Sequence, residues 1–371
     1  MLMKRFVLLT TAALAVAGSA LAADAPAART ADAPAAVKVD EKVDQVIRQA
    51  LPVCGDTKVT HSALDRKLPD NLSATLVRAE SSLPSCNGQY ISVVTKAGDY
   101  FLGIPWFIDQ AEGSTIEEKM SNFGWNALHE HYAVNVDREH PTRNGLYHAT
   151  LVQTTERGKL PIDGEVDPKG TVFFLGHFHP LTENVGVSRM KAFEPFFAAA
   201  PSEGAAKPEV TIVEFSDFEC PSCQHAAGYL DPVLKKYGDK VRYVRFDLPL
   251  ISNHPWAFSA AVAGRAIYRQ KPDLFWEYKK QVYANQEKLT AFTIDDFARN
   301  FAQDHDLDLK QYDADIASDA IHAEILRGVG TAFSNDIRAT PSYVVNGVLV
   351  EPGKDGADLE SYVAGLLKPK S

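Results

Sequence analysis

Val210-Thr211-Ile212-Val213-Glu214-Phe215-Ser216-Asp217-Phe218-Glu219-Cys220-Pro221-Ser222-Cys223 is the stretch on which the reading of this sequence turns. Its first six residues form an apolar run with a single acidic residue, the pattern of a strand buried in a parallel or mixed sheet. Pro221 then stands where a helix opens, because proline is favoured in a helical first turn. A Cys-x-x-Cys directly after a strand and at the start of a helix is a redox arrangement. Free backbone N–H groups and the helix macrodipole favour a thiolate on the first sulfur, and the thiolate is the species that reacts in disulfide exchange. The second sulfur, one turn on, is placed to attack a mixed disulfide. Cys220 is therefore the expected attacking thiol and Cys223 the resolving one.

Two competing uses of the pair are weaker. A structural zinc asks for four ligands, and this motif supplies two, with His225 pointing away from both sulfurs on a helix. A purely structural bond would close too short a loop to constrain the unfolded chain much.

Outward from the motif, Pro201 to Pro208 is a turn-rich stretch, so residues 196–209 are expected to be a linker. Downstream, Val241–Phe246 reads as a second strand and residues 255–335 as a run of helices. Asn346-Gly347 is expected to turn a hairpin, and Asp358 to cap a final helix. Upstream, Asp40 precedes Val43, Val46, Ile47 and Leu51 at helical spacing. Residues 52–110 alternate as strands do, and Ser114 with Glu117 is a candidate capping box. A weak internal echo links Tyr100-Phe101-Leu102-Gly103 with its downstream Met120 and Phe123 to Phe173-Phe174-Leu175-Gly176 with Met190 and Phe193. Residues 40–195 are read as an α+β domain of unknown type, with a dimerisation or substrate-binding role left open.

At the N-terminus, Lys4 and Arg5 precede an apolar stretch from Phe6 to about Ala17, and Ala20-Leu21-Ala22 ends in small residues. Residues 1–22 are expected to be a cleaved signal peptide, and residues 23–39, rich in Ala, Pro and Asp, a disordered leader. Export to the periplasm follows as an expectation. The chain has 371 residues, 45% hydrophobic and 23% charged, with net charge −10. That balance argues against nucleic acid as a partner, since phosphate binding needs a basic surface. Four cysteines are few for a disulfide-stapled scaffold. Proximity in sequence pairs Cys54 with Cys86 as a structural disulfide, with a second redox pair as the alternative. His177 and His179 alternate along the chain, with His129 and His131 as further imidazoles. They are read as surface or aromatic-packing residues rather than metal ligands.

From Val210 onward, residues 210–369, the chain resembles the DsbA-type thioredoxin-fold thiol–disulfide oxidoreductases. The resemblance rests on Glu214 to Cys223, Leu248-Pro249-Leu250 with His254, Leu274-Phe275-Trp276-Glu277-Tyr278, and Ala339-Thr340-Pro341-Ser342-Tyr343-Val344-Val345-Asn346-Gly347. It implies an α/β thioredoxin fold with a helical insertion at about residues 255–335. It also implies a cis-proline at Pro341, preceded by Thr340, that helps bind substrate, and a buried acid, Glu214, that relays a proton to Cys223 with a raised pKa. No cofactor is implied. Pro221 and Ser222 form the thiolate's immediate environment and bring no positive charge. The Cys220 pKa is therefore expected below the free value of about 8.5 but above the family extreme of about 3.5. Thr340 matches the choice of isomerases and reductases, which leans toward a less oxidising protein.

Three readings stand side by side at this stage. One is an envelope enzyme exchanging disulfides with exported proteins and regenerated by a membrane or soluble redox partner. The second is a dimeric disulfide isomerase or reductase. The third is a non-catalytic or metal-stress binding protein on a thioredoxin scaffold.

Overall fold

The computed structural model describes residues 36–54, 56–83 and 86–368. The expected signal peptide and most of the expected leader lie outside the described residues. Ala36 already bridges Ser62.

The chain first forms α1 (Glu41–Ala50), capped by the Asp40 carboxylate accepting from the Lys42 N–H at 2.9 Å. Its apolar stripe buries Val43, Val46 and Ile47, as the helical spacing requires. Five strands follow: β1 (Lys58–Ala63), β2 (Leu72–Glu80), β3 (Gly88–Thr95), β4 (Asp99–Gly103) and β5 (Trp106–Phe107). Then the pattern recurs, with α2 (Ile116–Phe123), β6 (Tyr132–Asp137), β7 (Tyr147–Thr155), β8 (Gly158–Val166), β9 (Val172–Leu175) and β10 (His179–Pro180), ending in α3 (Val185–Phe193).

Each unit is a helix, a four-stranded antiparallel meander and a short fifth strand. The fifth strands are exchanged. One sheet runs β1-β2-β3-β4-β10 and the other β5-β9-β8-β7-β6. The two segments that echo each other in sequence occupy equivalent places, β4 leading to α2 and β9 leading to α3. The capping box lies one residue later than expected. Thr115 caps α2, and Glu118, not Glu117, reaches back to it because Glu118 occupies the third helical position. Glu117 pairs with Arg138 instead, at 2.6 Å.

The second half holds the sheet β11 (Ser202–Gly204), β13 (Val241–Asp247), β12 (Val210–Ser216), β14 (Ser342–Val345) and β15 (Val348–Val350), in that order. Strands β12 and β13 are parallel; the other pairs are antiparallel. Around it lie α4 (Pro221–His225), α5 (Asp231–Tyr237) and α11 (Ala357–Leu366). The inserted helices are α6 (Ala257–Gln270), α7 (Leu274–Ala284), α8 (Ile294–Asp304), α9 (Leu309–Ile316) and α10 (Asp319–Ser334). Two expectations need correction. Residues 196–209 are not a free linker: Ser202–Gly204 pair with β13 and cover what would otherwise be an open sheet edge. Asp358 lies inside the first turn of α11, whose cap is Gly356 in the left-handed region.

The halves are packed together rather than strung apart. Phe193 of α3 sits edge-on to Phe215 and Phe246, with centroids 4.8 and 5.4 Å away. The buried Arg189 guanidinium donates to the Gly347 carbonyl at 2.7 Å and the Ala50 carbonyl at 3.3 Å. Helix α10 lies along β8, where the Ser334 hydroxyl donates to the Asp163 carbonyl at 2.9 Å and accepts from the Asp163 N–H at 3.1 Å.

Closest approach falls at Gly330, where a Cβ would lie far inside contact distance of the Pro161 carbonyl oxygen. In an unconstrained helix, Gly→Ala stabilises by about 1 kcal/mol. Here Gly330→Ala is expected to destabilise by about 1–3 kcal/mol, because overpacking against fixed backbone outweighs propensity. Urea unfolding of the two proteins gives the sign directly.

Candidate active site

Strand β12 ends at Ser216 and delivers Asp217-Phe218-Glu219 to Cys220, which is the N-cap of α4. Contacts to four other segments hold this turn. Asp217 is buried and accepts from the Leu250 N–H at 2.8 Å, the Glu219 N–H at 2.7 Å and His254 Nδ1 at 2.7 Å. Glu219 accepts from the N–H groups of Trp256 and Ala257 at 2.7 and 3.1 Å, fastening the turn to the start of α6. Gln286 donates to the carbonyls of Phe218 and Cys220 at 2.8 and 3.1 Å. Arg245 stacks over the Phe218 ring at 3.9 Å.

The two thiols are unbonded and unequal. Cys220 is 7% exposed and Cys223 fully buried. Hydrogen bonding from Cys223 is the main cause that holds the Cys220 thiol at about 5, helped by the Thr340 side chain and the backbone N–H groups of Cys223 and Ser222, while burial opposes it. Burial pushes Cys223 well above its ordinary value, and the Cys220 and Glu214 charges push the same way. The value for Cys220 lies inside the expected window. Helix α4 is only five residues long, and the influences that lower the thiol are hydrogen bonds aimed at the sulfur. Pro221 and Ser222 are exposed and offer only backbone. His254 is raised above its ordinary pKa by its hydrogen bond to Asp217, with the Cys220 charge acting in the same direction.

The Thr340–Pro341 bond is cis, and the Thr340 carbonyl accepts from the Cys220 thiol at 3.4 Å. Glu214 is buried as expected, but the expected raised pKa is corrected. Burial does push it up, yet Lys279 at 3.6 Å, Arg245 and the Tyr243 hydroxyl together bring it below the usual carboxylate range. The Lys279 ammonium also donates to the Tyr243 hydroxyl at 3.0 Å. Sequence reading missed Asp217, Lys279, Tyr243 and Gln286. Lys279, Tyr243 and Gln286 carry no local signal, because each reaches the site from a different element; Asp217 stands in the motif itself, but its partners are remote in sequence. His254 was quoted within a matching segment, but nothing in the sequence linked it to Asp217.

The remaining expected residues lie apart from the thiols. Cys54 and Cys86 are bonded, with Cα atoms 6.4 Å apart. His131 stacks on Trp125 at 4.2 Å, with His129 6.2 Å from the same ring, and His179 lies 6.0 Å from the Tyr100 ring. Beside the loop that carries Thr340, a cleft opens between Leu250, Ile251 and Arg338 on one wall and Glu130, Gln153 and Leu160 on the other.

A thioredoxin family model matches residues 199–364. The chain is 31% identical over 165 residues to the probable disulfide bond formation protein D of Bacillus cereus, covering 43% of this chain and 76% of that one. This chain belongs to the DsbA-type thiol–disulfide oxidoreductase family. The chain is also 32% identical over 180 residues to a Na(+)/H(+) antiporter NhaA 1 of Mycolicibacterium vanbaalenii, covering 48% of this chain but only 28% of the antiporter. Against the solved DsbA2 of Pseudomonas aeruginosa the identity is 26%, with a TM-score of 0.39, over 46% of this chain and 95% of that one.

The depressed thiol makes the reduced DsbA-type site pH-dependent. A group whose folded pKa is lowered adds stability that is full above its unfolded value, about 8.5, and is lost as pH falls through the folded one. The reduced protein is therefore expected to gain stability over Cys220→Ser as pH rises from about 5 to about 8.5. Ultraviolet titration of the thiolate should show a midpoint near 5; a midpoint near 8.5 would contradict the geometry.

Proposed function

We propose that this protein exchanges disulfides with exported proteins through Cys220 and Cys223. The observation that carries the reading is the asymmetry of the pair, with one thiol at the rim of the core and acidified and the other wholly buried and pushed well above its ordinary value. In the oxidising direction, a substrate thiolate attacks Cys220 Sγ of the Cys220–Cys223 disulfide, and Cys223 departs and takes up a proton. A second substrate thiolate then attacks the substrate sulfur of the mixed disulfide, and Cys220 departs as a thiolate. The substrate leaves with a disulfide, and the enzyme keeps both electrons as a dithiol. A low-pKa leaving group at Cys220 speeds that second step. A redox partner that draws off the two electrons regenerates the disulfide.

Glu214 and Lys279 are the candidate route for the Cys223 proton. Carboxylate and ammonium stand 3.6 Å apart, and the Glu214 charge is among the influences that raise the Cys223 thiol. Thr340 and Pro341 are proposed to align the substrate backbone beside Cys220, and the adjoining cleft to receive the rest of the segment. Export to an oxidising compartment is supported by the amino-terminal pattern of residues 1–22 and by the Cys54–Cys86 bond. That bond is proposed to be structural.

The test is a trapping experiment. With the resolving thiol removed, Cys223→Ser should accumulate mixed disulfides with a thiol-bearing polypeptide, releasable by reductant. Cys220→Ser should accumulate none and should not reduce insulin. Equal trapping by both variants would overturn the assignment of roles.

The dimeric isomerase reading takes a different form here. Two units that exchange their fifth strands are already a pair within one chain. We propose that this internal pair replaces a partner subunit, so light scattering should give the mass of one chain at micromolar concentration. A dimer mass would restore the two-subunit reading.

A further inference from the structure

The second sheet of the N-terminal half holds a cluster that disulfide exchange does not use. On β8, Glu165 stands directly opposite His148 of β7. Opposed residues in an antiparallel pair share a face, with Cβ atoms about 5 Å apart. His177, in the segment just after β9, comes over the same carboxylate, its Nδ1 3.6 Å from Glu165 Oε1. One ligand atom from each of His148, Glu165 and His177 lies within 4.8 Å of the other two.

The carboxylate is the telling member. Glu165 is only 3% exposed. Its Oε1 is fixed by the Phe178 N–H at 3.0 Å, while Oε2 is buried and has no hydrogen-bond partner among the described residues. A carboxylate oxygen left so is costly unless something neutralises it. An ordinary ion pair with His177 does this poorly, since 3.6 Å is outside good hydrogen-bond range. It also leaves Oε2 unsatisfied and the neighbouring His148 ring, 6.1 Å from that of His177, without a purpose. Two imidazoles and a carboxylate are a donor set that first-row divalent metals accept, zinc among them, with a further position for water. The Phe178 N–H would act as the outer contact that orients the carboxylate.

We propose that His148, Glu165 and His177 form a binding site for a divalent first-row transition cation, with the remaining coordination position open to solvent. Ligand atoms around a four-coordinate zinc stand about 3.3 Å apart, so the three groups must draw together on binding. His148 lies on the exposed side and has room to swing inward. Binding ties the segment after β9 to the middle of the sheet.

The test uses the full chain with Cys220 and Cys223 both changed to Ser, so that the thiols cannot serve as ligands, and with the Cys54–Cys86 bond kept oxidised. After chelator treatment, zinc binding is measured by calorimetry and cobalt binding by visible absorption. The expected result is one equivalent of zinc, with an affinity weakened at least about tenfold in His148→Ala, His177→Ala and Glu165→Gln. The cobalt bands should be lost in the same variants. His148 is exposed, so its replacement tests the site without threatening the fold, and circular dichroism confirms that. Unchanged zinc affinity in His148→Ala and His177→Ala, or no zinc uptake in the parent protein, would overturn the proposal and leave a plain Glu165–His177 ion pair.

Discussion

A carboxylate shut away from water has to be neutralised, and Glu214 imposes that requirement at the centre of the catalytic half. Its answer comes from three directions: Lys279 on α7, and Tyr243 and Arg245 on the neighbouring β13. Arg245 is itself buried and needs a partner, which is Asp247; Asp247 in turn takes Arg265 of α6 at 2.6 Å. Arg265 lies 3.7 Å from Glu324 on α10. The Glu214 charge is thus the first link of a buried chain that ties the inserted helices to the sheet. Breaking such a chain at one member strands the next charge, which typically costs several kcal/mol.

Above that layer, the same economy governs the thiols. One buried Asp217 holds the Leu250 turn, the Glu219 backbone and His254 together, so the loop that carries Cys220 cannot move independently of the loops beside it. Acidity at Cys220 comes from hydrogen bonds that are already in place when the sulfur becomes charged, which is why no positive residue is needed between the cysteines. Proton affinity goes to Cys223 because it is dry.

The N-terminal half meets this machinery through a close backbone approach and through a buried long side chain. Gly330 against Pro161, and Arg189 against the hairpin at Gly347, fix α10 and β14–β15 to the exchanged sheets. Both elements flank the loop that carries Thr340 and Pro341. The cleft is lined by the Leu250 turn and by Gln153 and Leu160 of the second sheet, so it belongs to both halves of the chain.

By itself, the sequence determined what local chemistry can encode. The strand at Val210–Ser216, the Cys-x-x-Cys after it, the helical stripe of α1 and the Asn346-Gly347 turn each depend on residues a few positions apart. The structure has them where periodicity and turn chemistry put them. Thr340-Pro341 and the helical insertion were legible because a matching family carries them in the same order. Only the tertiary structure could decide the sign of the Glu214 shift, since Lys279 is 65 positions away in the chain and reaches the carboxylate through folding alone. It decided likewise that Ser202–Gly204 closes a sheet edge, because an edge exists only once β13 is in place. And it brought Glu165 to His177, across a register of strands that spacing along the chain does not reveal.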